Sequence, residues 1–405
     1  MLTKKILMKN KNNLTNLVRG GINRTSFSET SESIFLTSGF VYNTAEEAEK
    51  SFKEEKERFM YSRFGNPTVD TFQKRMATLE GAEACWATSS GMSALFTILM
   101  SYLQKGDRVV SSKALFGSCH FIITEILPKF GIEIELVDGS DLNQWESALK
   151  KKTQIVFFET PSNPCLEIVD IKSVSKLAHK SGAKVVVDNV FATPILQKPL
   201  ELGANIIMYS ATKHIDGQGR VLGGAILSDE DFCKNIVKPF IRNTGPSISP
   251  FNAWVLLKGL ETLDLRVKKQ VENTKEVLKF LKKNKNIKKI YYPFDENFDQ
   301  YTLAKKQMKD GGTILSFELL SKKNLEKKTA FKFLNNLKLI DISNNLGDSK
   351  TLITHPYTTT HHRLSKNEKN ELGISENLVR LSVGLEEVDD IINDIDSAIK
   401  KAYAK

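Results

Sequence analysis

The sequence predicts an α/β protein built around a mostly parallel sheet. Short apolar runs rich in Val, Ile and Phe alternate along the chain with segments of helical periodicity, which is typical of this class. At least one of these runs ends in a carboxylate, as residues 184–189 (KVVVDN) do, and functional groups of such sheets lie at the carboxyl ends of the strands. With 405 residues, the chain is longer than one hydrophobic core usually organises. We therefore expect more than one domain.

The predicted elements place a larger α/β domain before a smaller one. Strands are predicted at residues 84–88, 108–111, 132–137, 154–159, 184–189, 206–209, 312–319, 337–340 and 378–383. Helices are predicted at residues 45–58, 68–79, 94–103, 117–130, 143–150, 171–181, 252–267, a following segment that ends at residue 283, 330–337 and 388–404. We divide the chain into an N-terminal arm (1–63) that contacts a neighbouring subunit, a large domain (64–262) and a small C-terminal α/β domain (263–405).

Composition narrows the class of protein. Apolar residues make up 40% of the chain and charged residues 26%, as in soluble globular proteins. No apolar run approaches the roughly 20 residues of a membrane span. The net charge of +10 comes from lysines spread along the chain, with only mild clusters in the first dozen residues and at 282–289. We expect solvated faces and anionic small substrates rather than a nucleic-acid or membrane partner.

The cysteines and the N-terminus favour the cytoplasm. The four cysteines are widely spaced and form no CxxC pair and no zinc spacing, so reduced thiols and no metal site are expected. The first residues, MLTKKILMKNKNN, lack the apolar core of a signal peptide. The sequence leaves open whether translation starts at Met1 or at Met8.

The stretch 206–224, IIMYSATKHIDGQGRVLGG, is the strongest candidate for a functional site. A buried strand leads to Lys213, and the glycines after it let the backbone approach a bound group closely. A lone lysine is usually a solvated surface residue, and Asp188 alone fits a turn after a strand. Together, however, an amine and a carboxylate at consecutive strand ends are the pair that pyridoxal phosphate chemistry requires. The amine captures the aldehyde, and the carboxylate keeps the pyridine nitrogen protonated.

Several loops add candidate ligands for an anionic cofactor. The small residues 89–94 (SSGMSA) join a strand to a helix N-terminus, which is an anion-binding arrangement. Arg63, in YSRFGNPT, suits bidentate phosphate recognition. Phe116 follows a strand, where its ring can lie on an aromatic cofactor, and Asn163 follows the strand that ends at residue 159. Read singly, each also fits an ordinary loop or core residue.

A set of motifs gives the chain a family resemblance. In order and spacing they resemble the cystathionine γ-synthase-like branch of pyridoxal phosphate enzymes, also called the Cys/Met metabolism family, from about residue 30 to the C-terminus. The motifs are YSRFGNPT, SSGMSA, ETPSNP, VVVDN, YSATKHIDGQG, NLGD, THP and LVRLSVGLE. This resemblance implies the fold-type I architecture of pyridoxal-phosphate-dependent transferases, with a seven-stranded sheet in the large domain.

The resemblance also implies roles for individual residues. Lys213 would bind the cofactor aldehyde, Asp188 would pair with the pyridine nitrogen, and Phe116 would stack on the ring. The phosphate would be held by Gly91, Met92, Ser210 and Thr212, together with Tyr61 and Arg63 of a neighbouring subunit. Arg380 would bind the α-carboxylate of the substrate with help from Asn163, and Asn345 would also contact the substrate. Lys213 and Tyr61 would act in catalysis. An arginine inside an apolar strand is costly unless it meets an anion, so its position agrees with this role.

The implied activity is γ-replacement in methionine biosynthesis. O-succinylhomoserine and sulfide would give homocysteine and succinate, with Lys213 moving the protons at the α- and β-carbons. Many lyases and synthases of the branch have tyrosine in place of Phe116 and serine in place of Asn345, and the residues found here favour the sulfhydrylases. An acetyl ester as substrate, cysteine as nucleophile, and methionine γ-lyase activity remain alternatives. The joint presence of Lys213, Asp188 and Arg380 disfavours a binding protein without activity.

Two further expectations follow from the resemblance. Because Tyr61 and Arg63 would act in a neighbouring subunit, the protein should be a homo-oligomer, and a dimer of dimers is expected. If the leaving group is succinyl, its carboxylate needs a cationic partner. The candidates are Arg242 and Arg363, and the sequence does not choose between them.

Overall fold

A computed structural model describes residues 13–404 of the chain. The first 12 residues, which include Met8 and the beginning of the predicted arm, lie outside the described residues, as does Lys405. Between residues 13 and 404, no helix is both long enough and apolar enough to cross a bilayer.

The larger sheet has seven strands. They are β1 Ala84–Thr88, β2 Arg108–Ser112, β3 Glu133–Val137, β4 Ile155–Glu159, β5 Lys184–Asp188, β6 Ile206–Ser210 and β7 Gly224–Ser228. Their order across the sheet is β1-β7-β6-β5-β4-β2-β3. Strands β2, β3, β4 and β5 pair in parallel, whereas β1 and β7 pair antiparallel. The predicted fold class, a mostly parallel seven-stranded sheet in an α/β protein, is therefore confirmed.

Helices alternate with these strands and continue through the C-terminal part. The α-helices are α1 Asn13–Arg19, α2 Ala45–Phe52, α3 Pro67–Glu80, α4 Gly91–Tyr102, α5 Gly117–Phe121, α6 Leu142–Ala148, α7 Ile171–Lys180, α8 Thr193–Leu196, α9 Lys238–Thr244, α10 Pro250–Glu261, α11 Leu263–Lys283, α12 Tyr301–Gln307, α13 Glu326–Leu334, α14 Lys366–Glu371 and α15 Val388–Tyr403. Two π-helical segments, Ile122–Ile126 and Phe232–Val237, and three 3-10 segments, Leu127–Phe130, Pro199–Leu202 and Pro356–Thr358, complete them.

Burial explains why the central strands are continuous apolar runs. Every residue of β4 is buried, and so are residues 185–188 of β5. Val156 of β4 and Val185 of β5 pack in one cluster with Trp145 of α6 and Val174 of α7. A parallel strand that is covered on both faces has no side exposed to solvent, so its sequence does not alternate between apolar and polar residues.

A second, smaller sheet lies in the C-terminal part of the chain, as predicted. Its strands are β8 Ile287–Tyr291, β9 Ile314–Leu319, β10 Asp341–Ile342, β11 Leu352–Thr354 and β12 Leu378–Ser382. The order is β10-β11-β12-β9-β8. Phe317, Val379 and Leu381 pack with Phe333 and Ile395 in a buried apolar core beneath this sheet.

Several local predictions are wrong. The helix predicted at 252–267 is interrupted at Thr262, which ends α10. Residues 337–340 are not a strand, because the Asp394 carboxylate accepts hydrogen bonds from the backbone N–H groups of residues 338, 339 and 340 and so replaces a neighbouring strand. The helix predicted at 45–58 ends at Phe52, since Glu54 adopts a φ of 59°, which breaks a right-handed helix.

The Cα positions group the chain into two compact units. Among the described residues, the first contains 13–102, 208–212 and 220–262, and the second contains 103–207, 213–219 and 263–404. The division into an arm (1–63), a large domain (64–262) and a small domain (263–405) remains a prediction.

A buried charge network fixes the N-terminal segment within the first unit. Glu32 accepts from Arg75 Nη2 at 2.5 Å and from Lys258 Nζ at 2.5 Å, and its carbonyl accepts from Trp254 Nε1 at 2.8 Å. Burial alone would raise the pKa of Glu32, but the hydrogen bonds from Lys258 and Arg75 outweigh it and the pKa is lowered. The carboxylate therefore stays charged and holds the segment against α3 and α10.

We predict that Glu32→Gln lowers the free energy of unfolding by about 3 kcal/mol at neutral pH, because buried Arg75 then keeps only the more distant carboxylate of Glu261, 3.5 Å from its Nη1. Since the folded pKa of Glu32 is lowered, the wild-type advantage should be full above the unfolded pKa of about 4.3 and should disappear as the pH falls below it. Urea unfolding measures both effects. In the control Glu49→Gln, which removes an exposed carboxylate paired with Lys53, the midpoint should hardly move. Equal midpoint shifts in the two variants would contradict the network.

Candidate active site

Two carboxyl groups lie at neighbouring strand ends of the larger sheet. Glu159 ends β4 and Asp188 ends β5, and the two residues are direct partners in the parallel register. Both side chains are buried. Burial raises the pKa of Asp188 to about 7. The pKa of Glu159 is also raised, mainly by burial and secondarily by the charge of Asp188. The site therefore holds two carboxyl groups that resist ionising together.

The carboxyl group of Asp188 is buried and has no cationic partner among residues 13–404. Its side chain is 6% exposed and accepts a hydrogen bond from the Val190 N–H at 3.0 Å. No ion pair of residues 13–404 includes it. A buried carboxylate without a counter-charge is costly. A protonated ring nitrogen would supply that charge and hold the carboxylate ionised at neutral pH.

Lys213 begins the turn that follows β6. Its Nζ atom donates to Asn345 Oδ1 at 2.5 Å. Burial, and secondarily the positive charge of Arg380, lowers the pKa of the Lys213 amine to about 8. An ordinary lysine is almost fully protonated at neutral pH, so this amine has an unusually large neutral, nucleophilic fraction.

The turn after Lys213 is fixed by close backbone packing. Gly217 has a φ of +67°, and a Cβ atom there would lie 1.8 Å from Nη1 of Arg266. That guanidinium donates to the His214 carbonyl at 2.8 Å. The Gly217 carbonyl in turn accepts from the Ser349 N–H at 2.8 Å. Only glycine satisfies both the conformation and the space here, which explains the glycine-rich sequence after the lysine.

Arg380, in β12, is 2% exposed and makes a partial set of hydrogen bonds. Nη1 donates to Asn163 Oδ1 at 2.9 Å, and Nη2 donates to the carbonyls of Asn344 and Asn345 at 3.0 and 3.2 Å. Its Nε atom is buried without a hydrogen-bond partner. Burial lowers the pKa of Arg380 to about 10, so it remains charged at neutral pH. The charge of the nearby Glu159 carboxyl opposes this lowering of the pKa. The unpaired Nε donor fits an incoming carboxylate.

Glu159 joins these groups and was not among the predicted site residues. Its Oε1 accepts from the Asn163 N–H and its Oε2 from the Phe116 N–H, both at 2.9 Å. One carboxylate therefore positions both the predicted stacking ring and the amide that binds Arg380. The signal in the sequence was a carboxylate at the end of the strand before Asp188, within the same ETPSNP motif that contains Asn163.

Hydrogen bonds thus bring five predicted residues of the second unit into one network. The Glu159 side chain accepts hydrogen bonds from the backbone N–H groups of Phe116 and Asn163. Arg380 donates to Asn163 and Asn345, and Asn345 accepts from Lys213. Asp188 joins through its register with Glu159. The individual roles of these residues remain predictions.

The predicted phosphate-binding residues lie in the first unit. Gly91 and Met92 begin α4, and a Cβ atom on Gly91 would lie 2.6 Å from the Ser210 Cβ. Gly91 and Ser210 are therefore in direct contact, which requires glycine. The Thr212 hydroxyl is engaged with Gly223, accepting from its N–H at 3.1 Å and donating to its carbonyl at 3.3 Å.

Tyr61 and Arg63 form an exposed cluster in the same unit. The Tyr61 side chain is 42% exposed. The Arg63 guanidinium lies 4.9 Å from the ring centroid of Phe64 and donates to the carbonyl of Arg242. The role of Tyr61 and Arg63 in a second copy of the chain remains a prediction.

Comparisons with known proteins agree with this geometry. A model of the Cys/Met metabolism PLP-dependent enzymes matches residues 14–400. The chain is 52% identical to the O-succinylhomoserine sulfhydrylase of Mycobacterium tuberculosis, covering 94% of each protein, and 40% identical to the L-methionine γ-lyase of Fusobacterium nucleatum, covering 96% of this chain and 98% of that protein. It also matches, with a TM-score of 0.91 and 32% identity over 96% and 100% of the chains, a Campylobacter jejuni structure provisionally assigned as an O-acetylhomoserine (thiol)-lyase, which carries an N'-pyridoxyl-lysine-5'-monophosphate.

We predict that Glu159→Gln speeds amide hydrogen exchange at Phe116 and Asn163. Glutamine has one acceptor oxygen, so one of the two N–H groups loses its partner, at a cost of about 1–3 kcal/mol in local opening. Exchange followed by mass spectrometry measures this. Glu167→Gln is the matched control, since Glu167 is a largely buried carboxyl whose pKa is raised to about 7 by burial and which bonds neither amide. Unchanged protection of both amides in Glu159→Gln would sink this assignment.

Proposed function

Because the chain belongs to the Cys/Met metabolism family of PLP-dependent enzymes, we propose that it exchanges the acyl group of O-succinylhomoserine for sulfide. The products are homocysteine and succinate. The observation that carries the proposal is that Asn345 holds Lys213 through its side chain and Arg380 through its carbonyl. This arrangement sets an amine of lowered pKa beside an unsatisfied carboxylate-binding guanidinium. The name of the 52% identical relative supports the choice of substrate.

The residues present fit pyridoxal phosphate. When bound, the cofactor supplies an aldehyde that an amine can capture and a protonated ring that withdraws electrons. Lys213 would bind the aldehyde and Asp188 the ring nitrogen, while Phe116 would cover a ring face. The phosphate would be held by Gly91, Met92, Ser210 and Thr212, with Tyr61 and Arg63 of a second copy of the chain. The buried, cation-free Asp188 and the close contact of Gly91 with Ser210 are the structural features behind this fit.

Arg380 and Asn163 would bind and orient the α-carboxylate of the substrate. The Nε donor has no partner and Nη1 already donates to Asn163 Oδ1, so donors of the guanidinium remain for an anion that binds beside Asn163. Such binding fixes the amino acid relative to Lys213, which is the contribution that positioning makes to catalysis.

Substrate binding would also change the basicity of Lys213. The positive charge of Arg380 helps to lower the pKa of that amine, and a bound carboxylate would neutralise part of this charge. The amine would then hold a proton more readily when it takes one from the α-carbon or from the β-carbon. Asn345, which accepts from Nζ, would limit the positions from which the amine acts.

A methionine γ-lyase is the second candidate, since relatives of that name are 40% identical. Phe116 argues against it. Its N–H is fixed by Glu159, and its ring carries no hydroxyl group to handle a proton. Phenylalanine can stack on a cofactor but cannot donate to a leaving group.

We further propose a cytoplasmic homotetramer, a dimer of dimers. Large apolar side chains are exposed in the N-terminal segment, with Phe27 at 90%, Val41 at 89% and Leu36 at 68%. Exposed apolar groups of this size are typical of surfaces covered by another subunit. All four cysteines are free thiols, which supports a reducing compartment.

We predict that the purified, cofactor-loaded protein forms homocysteine from O-succinylhomoserine and sulfide, and that Lys213→Ala abolishes this turnover because no amine remains to move the protons. A product assay offers the succinyl or acetyl ester with either sulfide or cysteine. Cystathionine as the dominant product would contradict the proposal, as would 2-oxobutanoate from methionine at a higher kcat/KM. Full activity of Lys213→Ala would contradict the assignment of the amine.

A further inference from the structure

A succinyl ester differs from an acetyl ester by a terminal carboxylate, and an enzyme that prefers it needs a cation for that group. We propose that Arg363 binds the terminal carboxylate of the succinyl group and so sets the preference between the two esters. This inference rests on the proposed function. It also decides between the two arginines, Arg242 and Arg363, that the sequence left open.

Arg242 is already engaged. Its Nη1 atom forms an ion pair with Glu54 Oε1 at 3.0 Å, and its guanidinium lies 4.2 Å from the ring centroid of Phe64. Lys238 binds the same carboxylate at 3.4 Å. A second anion at Arg242 would have to compete with this carboxylate.

Arg363 follows a segment that is anchored beside the site. A Cβ atom on Gly117 would lie 2.7 Å from the Thr360 carbonyl oxygen, so the backbones are in contact. His361 is 1% exposed. Burial, then the charge of Arg380, lowers the pKa of His361 to about 4, while the carbonyls of Asn163 and Leu115 act in the opposite direction. The ring of His361 is therefore neutral. It lies close to Leu115, which precedes Phe116, and to Asn163, which accepts a hydrogen bond from Arg380.

The anchored segment fixes where the Arg363 guanidinium lies. It stands 5.3 Å from the ring centroid of Phe121, the last residue of α5, whose first residue directly follows Phe116. Five residues of helix rise about 7.5 Å. An extended succinyl group has a similar length. Its ester oxygen and four carbons are joined by bonds of about 1.5 Å, whose lengths add up to roughly 6 Å. A leaving group that extends from the predicted stacking residue along this helix would therefore meet Arg363.

The acidic side chains of α14, which follows Arg363, and of the π-helical segment that follows Phe121 make other contacts. Glu371 pairs with Lys113 at 3.6 Å, and Glu368 bonds the Ser365 N–H at 2.7 Å as part of a helix cap. Glu125, with Glu368, interacts electrostatically with His120. Among the described residues, no ion pair includes Arg363. Arg363 thus retains an exposed guanidinium whose planar fork matches a carboxylate.

The test compares kcat/KM for the succinyl and acetyl esters, with sulfide, in the cofactor-loaded wild type and in Arg363→Met. In Arg363→Met we expect kcat/KM for the succinyl ester to fall about 10- to 100-fold, because a charge-assisted pair is lost. For the acetyl ester we expect kcat/KM to fall by less than about twofold. Arg363→Lys should fall between the two. Lys366→Met removes an exposed lysine three residues away and should leave the ratio of the two esters unchanged. Activity with the acetyl ester shows that each variant is folded.

Inhibition by free acids provides an independent measure of binding. Succinate should inhibit Arg363→Met more weakly than wild type, whereas acetate should inhibit both proteins equally. A kcat/KM ratio that stays at the wild-type value, or equal losses on both esters, would overturn the assignment of Arg363. Failure of the proposed function would differ, because the wild type itself would then not turn over the succinyl ester with sulfide.

Discussion

The candidate site depends on charged side chains that are largely buried and that form no ion pair among the described residues. Arg380 and Lys213 are held by the neutral amides and carbonyls of Asn163, Asn344 and Asn345, which fix positions but do not cancel charge. Asp188 has only a backbone N–H within the described chain. Burying charges in this way costs free energy, and the shifted pKa values of Lys213 and Asp188 record that cost. Ligands of the opposite charge would recover part of this cost on binding.

The fold supplies these positions through two sheets. The parallel register of β4 and β5 sets Glu159 beside Asp188, while β12 of the smaller sheet carries Arg380. Glu159 then fixes Asn163 through a backbone N–H, and the Asn163 side chain accepts from Arg380. A single carboxylate therefore couples a strand end of one sheet to the guanidinium of the other, within the second compact unit.

The sequence predicted the chemistry of the site better than its framework. Asp188, Lys213 and Arg380 could be proposed because a carboxylate, an amine and a guanidinium in this order match one cofactor chemistry and one family. Glu159 was missed although it ends the strand before Asp188, because its position at a strand end does not reveal that it accepts two backbone N–H groups. The strand expected at 337–340 failed for a similar reason, since the Asp394 carboxylate takes the place of a pairing strand. Strand β7 was missed because Gly224, at its start, reads as part of a loop.

The central claim is that burial, aided by Arg380, holds the Lys213 amine at a pKa of about 8. An NMR titration of the cofactor-free protein with ¹³C-methylated lysines tests it directly, and Lys213→Arg assigns the resonance. We predict one lysine signal that titrates near pH 8 and moves to higher pH in Arg380→Leu, because a nearby positive charge disfavours the protonated amine. A Lys213 signal that titrates near pH 10.4, as in an ordinary exposed lysine, would contradict the account.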